Sequence, residues 1–98
     1  MAKRIIWSVK AKQERRSILE YWFARNRNKN YSRKLSKQFG ETVRHIAKYN
    51  YLGRATDEEN VRGTVCGNYL LFYELNPDVL EILSVLDGRQ NPKKLRFK

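Results

Sequence analysis

The stretch from Asn68 to Arg89 constrains the fold more than any other part of the chain. It runs Asn68-Tyr69-Leu70-Leu71-Phe72-Tyr73-Glu74-Leu75, then Asn76-Pro77-Asp78, then Val79-Leu80-Glu81-Ile82-Leu83-Ser84-Val85-Leu86-Asp87-Gly88-Arg89. Two apolar runs, rich in aromatic and β-branched residues, flank a turn of Asn, Pro and Asp, which is the signature of a β-hairpin. Strands this uniformly apolar need cover on at least one face, so both are predicted to be central in a sheet. Tyr69, Phe72 and Tyr73 bring much of the area such a core requires.

The cover must come from upstream. Arg4 to Val9 contains Ile5-Ile6-Trp7 and reads as a first strand, with Ser8 placed to cap the element after it. From Lys10 to about Asn26, Ala11, Arg15, Ile18, Leu19, Trp22 and Phe23 recur at spacings of three and four, which predicts a helix with those residues on one face. The polar run Asn26 to Asn30 breaks the period, and Asn28 or Asn30 can cap the next helix. Tyr31 to about Tyr49 gives a second amphipathic helix, with Tyr31, Leu35, Phe39, Val43, Ile46 and Ala47 as its stripe. Gly40 inside it suggests a close approach to a neighbour. Asn50 to Asn60 reads as a loop. Val61 to Val65 reads as a strand that Gly63 weakens or bulges. The expected order is therefore β-α-α-β-β-β: an α+β, two-layer fold with a helical hairpin packed on a small, mostly antiparallel sheet, in a single domain spanning residues 1–98.

Charge narrows the partners. The formal net charge is +11. Residues 1–54 hold 15 basic against 3 acidic residues, a balance of +12, whereas residues 55–98 hold 6 against 7, a balance of −1. A cationic face on the first half calls for an anionic partner, either nucleic acid or an acidic protein segment. No run reaches the roughly 20 apolar residues of a membrane span. The opening residues pass straight into strand-like sequence without the apolar region of a secretory signal. With a single cysteine, Cys66, there is no internal disulfide, and a reducing cytoplasm is the expected location.

Chemistry-bearing motifs are sparse. His45 is the sole histidine and cannot hold a metal by itself, so no metal or other cofactor is expected. No glycine spacing forms a phosphate loop. Glu74 and Glu81 can face each other across the hairpin, as a carboxylate pair or simply as solvent-facing strand residues. Arg54, Arg62, Arg89, Lys93, Lys94 and Arg96 are candidates to gather at the sheet's open face or edge, and Tyr49, Tyr51 and Tyr69 are aromatic neighbours able to stack bases. Arg54, Arg62 and Arg89 are the candidates for stabilising a phosphate in flight, with Tyr51 or Glu81 to take a proton.

The helical hairpin, Leu52-Gly53-Arg54, Val61-Arg62, Tyr69-x-x-x-Tyr73 and Glu81-Ile82-Leu83-x-Val85-x-x-Gly88-Arg89, in this order over nearly the whole chain, resemble the RelE/ParE superfamily of bacterial type II toxins. The resemblance implies the fold above and a cognate antitoxin with an acidic segment, for which Lys34 and Lys37 on the cationic half are the expected contacts. It implies one of two targets. RelE-like members cut mRNA on the ribosome, whereas ParE-like members bind DNA gyrase. Where the nucleases carry an arginine after the first tyrosine this chain has Leu70, and its tail offers Leu95 and Phe97 in place of Tyr or His. Asp87-Gly88-Arg89 is more similar to the ParE ending. The expectation is a ParE-like toxin whose target contacts include Arg54, Arg62, Tyr69, Arg89, Lys93 and Lys94. An mRNA endonuclease and a nontoxic binding module are the alternatives.

Overall fold

A computed structural model describes residues 3–88. The elements are β1 (Arg4–Trp7), α1 (Val9–Asn26), α2 (Asn30–Tyr49), β2 (Arg54–Ala55), β3 (Val61–Cys66), β4 (Tyr69–Leu75) and β5 (Val79–Asp87). The sheet order is β1-β5-β4-β3-β2. The hairpin predicted from sequence is therefore the β4–β5 pair, with neighbours on both sides. All pairings are antiparallel except β1 with β5, which run parallel from Arg4 opposite Val79 to Trp7 opposite Ile82.

The two helices cover one face of the sheet. Leu35, Phe39, Val43, Ile46 and Ala47 of α2 meet Leu71, Tyr73, Leu80, Ile82 and Val85, all buried. Phe39 packs edge-on to Tyr69, with centroids 5.8 Å apart, and Trp22 Nε1 donates to Tyr69 Oη at 2.7 Å. Trp22 and Phe39 thus lie between the helices and the hairpin, as the stripes predict.

The α1 stripe is less completely buried than expected. Ala11 is fully buried, Ile18, Leu19 and Trp22 are half-buried, and Phe23 is exposed. The helix touches two partners, β5 on one side and α2 on the other. Its apolar residues divide between them, and Phe23 stays exposed at the open groove between the helices. Ser8 caps this helix as predicted, accepting from Ala11 N at 3.0 Å. Asn28 bonds Asn30 N through its Oδ1 but does not cap α2, whose capping position is Lys29. Gly40 makes no close approach to another element. A Cβ there would meet only the Arg44 guanidinium of its own helix.

Two features of the sheet are not legible in the sequence. The loop reading of residues 50–60 hides β2, a two-residue edge strand opposite Gly63 and Arg62. The bulge lies in β5 and not at Gly63. Phe72 pairs with Ser84 and Tyr73 with Ile82, which leaves Leu83 as an extra residue. The bulge resets the alternation, so Leu80, Ile82 and Val85 all join the helix-side core while Leu83 joins Val61 and Phe72 in a second cluster. Beyond Ile82, β1 no longer covers the edge of β5, and α1 takes over. Ser8 Oγ donates to Leu83 O, while Glu14 Oε1 accepts from Ser84 Oγ at 2.9 Å and from Val85 N at 3.1 Å.

Candidate functional site

The residues of Tyr51-Leu52-Gly53-Arg54 carry the chain from α2 to the sheet edge, and a buried tyrosine fixes their path. Helix α2 ends in Asn50, with φ of 54°. Tyr73, fully buried on the helix side of β4, donates its hydroxyl to Tyr51 O at 2.8 Å. Gly53 sits at φ +59°, and a Cβ on it would lie 2.5 Å from Gly63 O and 2.6 Å from Tyr73 Oη. Only glycine fits against both groups in this left-handed conformation. Burial pushes the Tyr73 hydroxyl up from about 10 to about 12, with Tyr51 adding to the rise and the Arg62 cation opposing it. The Leu52-Gly53-Arg54 motif is thus a pinned crossing, held by β3 and β4.

Register then decides where the arginines go. Arg54 stands opposite Gly63, which stands opposite Phe72, whereas Arg62 stands opposite Tyr73. Directly paired residues share a face and successive residues alternate. Arg62 therefore lies on the helix side, beside Tyr73 and the crossing, and Arg54 lies on the other face over Gly63. The expected convergence of these two on one spot is corrected by strand parity. Arg54 is exposed and Arg62 half-buried.

Tyr69 is also placed differently from expectation. It is 6% exposed, bonded to Trp22 and packed edge-on against Phe39, so its ring belongs to the core and is not open to a base. Arg89, Lys93, Lys94 and Arg96 lie outside the described residues. Glu74 and Glu81 are cross-strand partners, as predicted. Cys66 is buried, and its thiol is pushed up by that burial, with a hydrogen bond to Thr42 acting the other way. That environment disfavours a reactive thiolate. Among the described residues, no helix is long and apolar enough to cross a membrane, and no group of three His, Cys, Asp or Glu stands together as a metal set.

Lys34 and Lys37 are exposed on α2, Lys37 standing 4.0 Å from Glu41. Neither lines the groove that the hairpin presents to solvent. That groove, about 560 Å³, has Leu19 and Phe23 of α1 beside Ser32 and Ser36 of α2, with Lys12, Arg15, Arg16, Lys29 and Arg33 at its rim and one acid there, Glu20, paired with Arg16. Ser32 donates its hydroxyl to Leu19 O at 2.8 Å, so the small residue ties the helices together while leaving the channel open.

A family model described as the ParE toxin of the type II toxin–antitoxin system parDE matches residues 5–92. The chain belongs to the ParE toxin family. Among solved structures it is similar to a chain of the chromosomal ParDE toxin–antitoxin system from P. aeruginosa, at 14% identity and TM-score 0.75, covering 88% of this chain and 96% of that one. At that identity the likeness concerns the fold. A second similar structure, TrmO from P. aeruginosa, has 15% identity and TM-score 0.49, covering 89% of this chain and 34% of that one. No curated protein matches.

Membership makes this chain the toxin of a type II system, with an antitoxin as partner. Of two further features of this ParE-family chain, the sequence hides the first and shows the second in part, since it pairs Tyr49 with Tyr51 but leaves out His45. The first is the hairpin groove, because Phe23 reads as core by spacing. The second is a cluster of exposed rings at the end of α2, where His45 lies 4.9 Å from Tyr49 and 6.0 Å from Tyr51, centroid to centroid. The i to i+4 spacing of His45 and Tyr49 is a visible signal, but Tyr51 joins them only after the helix has turned at Asn50.

Proposed function

We propose that this ParE-family toxin arrests growth in the cytoplasm by binding DNA gyrase, without cutting RNA, and that Arg54 and Arg62, with Arg89, Lys93 and Lys94 of the tail, are its target contacts. The observation that carries this is the divergence of Arg54 and Arg62 onto two faces of one sheet edge. Catalysis of phosphoryl transfer needs cations and a proton acceptor converging on one phosphate. A binding surface has no such requirement, and an edge presenting a cation on each side grips a partner that wraps it. The antitoxin lies in the hairpin groove as an amphipathic segment, its apolar side on Leu19 and Phe23 and its acids on Lys29 and Arg33, with Lys34 and Lys37 on the adjoining surface.

Induced expression with a DNA-damage reporter, alongside mapping of transcript 5′ ends, tests the target. The expected result is a damage response without new ends, lost in Arg54→Ala and Arg62→Ala variants. Codon-phased new ends without damage would replace this reading with ribosome-dependent mRNA cleavage. Expression without any growth defect would leave a nontoxic binding module.

A further inference from the structure

The last turn of α2 and the crossing after it expose aromatic surface that the core does not use. Tyr49 is 61% exposed, Tyr51 46% and Leu52 59%. The His45 ring borders both tyrosines, tilted 51° to one and 58° to the other. Lys48 Nζ lies over the Tyr49 ring, 5.2 Å from its centroid, and Arg62 is in register with Tyr73, whose hydroxyl holds the Tyr51 carbonyl. Cations therefore accompany the cluster from the helix and from the neighbouring strand. Its position is fixed, since Tyr49 belongs to the helix and the Tyr51 carbonyl is held by the Tyr73 hydroxyl. Exposed rings on a rigid frame beside cations are the elements of a stacking platform with phosphate contacts. A duplex does not suit it, because duplex bases already stack on each other and offer no free face.

We propose that His45, Tyr49 and Tyr51, with Lys48 and Arg62, form a binding site for a short segment of single-stranded nucleic acid. Bases stack on Tyr49 and Tyr51, and the phosphates between them meet Lys48 and Arg62. The site requires neither RNA cleavage nor gyrase binding, so it stands apart from the reading of the target, although it shares Arg62 with it.

Fluorescence anisotropy of the full chain with short labelled oligo-U and oligo-dT strands, and with a duplex of the same length, tests the proposal. The strands should bind more tightly than the duplex, and the better of the two identifies RNA or DNA as the source. Since each stacked base contributes about tenfold in affinity, Tyr49→Ala with Tyr51→Ala should weaken strand binding about a hundredfold. The corresponding Phe pair should restore most of it. Arg25→Gln, at the opposite end of the hairpin, should change it by less than about threefold, the share of one distant charge. All three variants alter exposed side chains, and a thermal melt confirms that each is folded. Three results would overturn the site: no measurable strand binding, equal affinity for the duplex, or an alanine pair that binds like the wild type. If that alanine pair bound strands normally but lost growth arrest, the rings would serve a protein partner instead.

Discussion

At Gly53 one hydrogen atom in place of a methyl group decides the course of the edge. Alanine there must adopt a left-handed backbone, costing about 1–3 kcal/mol, and must also displace Gly63 O or the Tyr73 hydroxyl. Gly53→Ala should lower the urea-unfolding free energy by at least about 2 kcal/mol and weaken target engagement with it. Asn50, also at positive φ, is a residue type that tolerates the conformation. The Tyr73 hydroxyl gives a second test. Its folded value of about 12 exceeds the ordinary one of about 10. Below pH 10 both states hold the proton, and the stabilisation from this group is complete. Between pH 10 and 12 the unfolded chain releases its proton first, so stability falls by about 1.4 kcal/mol per pH unit. Urea titrations of wild type and Tyr73→Phe should therefore converge as pH rises from 10 to 11, while below pH 10 Tyr73→Phe is less stable by about 1 kcal/mol for the lost hydrogen bond.

Among the elements, α1 does what a sixth strand would otherwise do, because Glu14 takes the hydroxyl of Ser84 and the amide of Val85 beyond the end of β1. Ser84 is fully buried. Glu14→Ala leaves both donors without that acceptor and should cost about 1–3 kcal/mol in urea unfolding. Glu14→Gln, whose amide oxygen can accept the same bonds, should recover most of the loss. Trp22→Ala removes a large ring and its bond to Tyr69, a loss of about 3–5 kcal/mol, and should bring the domain close to unfolding in a thermal melt. The α2 stripe, the Ser8 cap, the β4–β5 hairpin and its turn can all be read from the sequence, since each is set by local spacing or by one residue's side chain. The bulge cannot be read, because Leu80 to Leu86 is apolar apart from Glu81 and Ser84, and its alternation is hidden. The β2 strand escapes because two residues carry no period, and β3 alone makes them a strand. Tyr69 departs from its expected place for a related reason. Nothing in the sequence distinguishes a tyrosine whose hydroxyl meets a buried indole from one that faces water.

For the molecule as a whole, charge and connectivity matter most. Because the groove between the helices joins an apolar floor to a cationic rim, antitoxin affinity should have two components with different salt responses. Screening shortens from about 10 Å at 0.1 M to about 3 Å at 1 M salt. Over that range affinity should fall by about tenfold or more and then level off at the apolar contribution. Lys29→Glu with Arg33→Glu should weaken binding more than Lys34→Glu with Lys37→Glu, measured by calorimetry with the cognate antitoxin. Equal effects would move the docking site out of the groove. The parallel pairing of β1 with β5 bears on a different matter, the timing of synthesis. Arg4 finds its partner only at Val79. A nascent chain that has emerged through β4 holds both helices and the edge of the sheet, yet β1 has no strand to lie against and Glu14 lacks Ser84 and Val85 as donors. Chains emerge at about 5–20 residues per second, so the β1–β5 pairing and the Glu14 bonds close only once β5 has been made, and a chain interrupted before β5 lacks both.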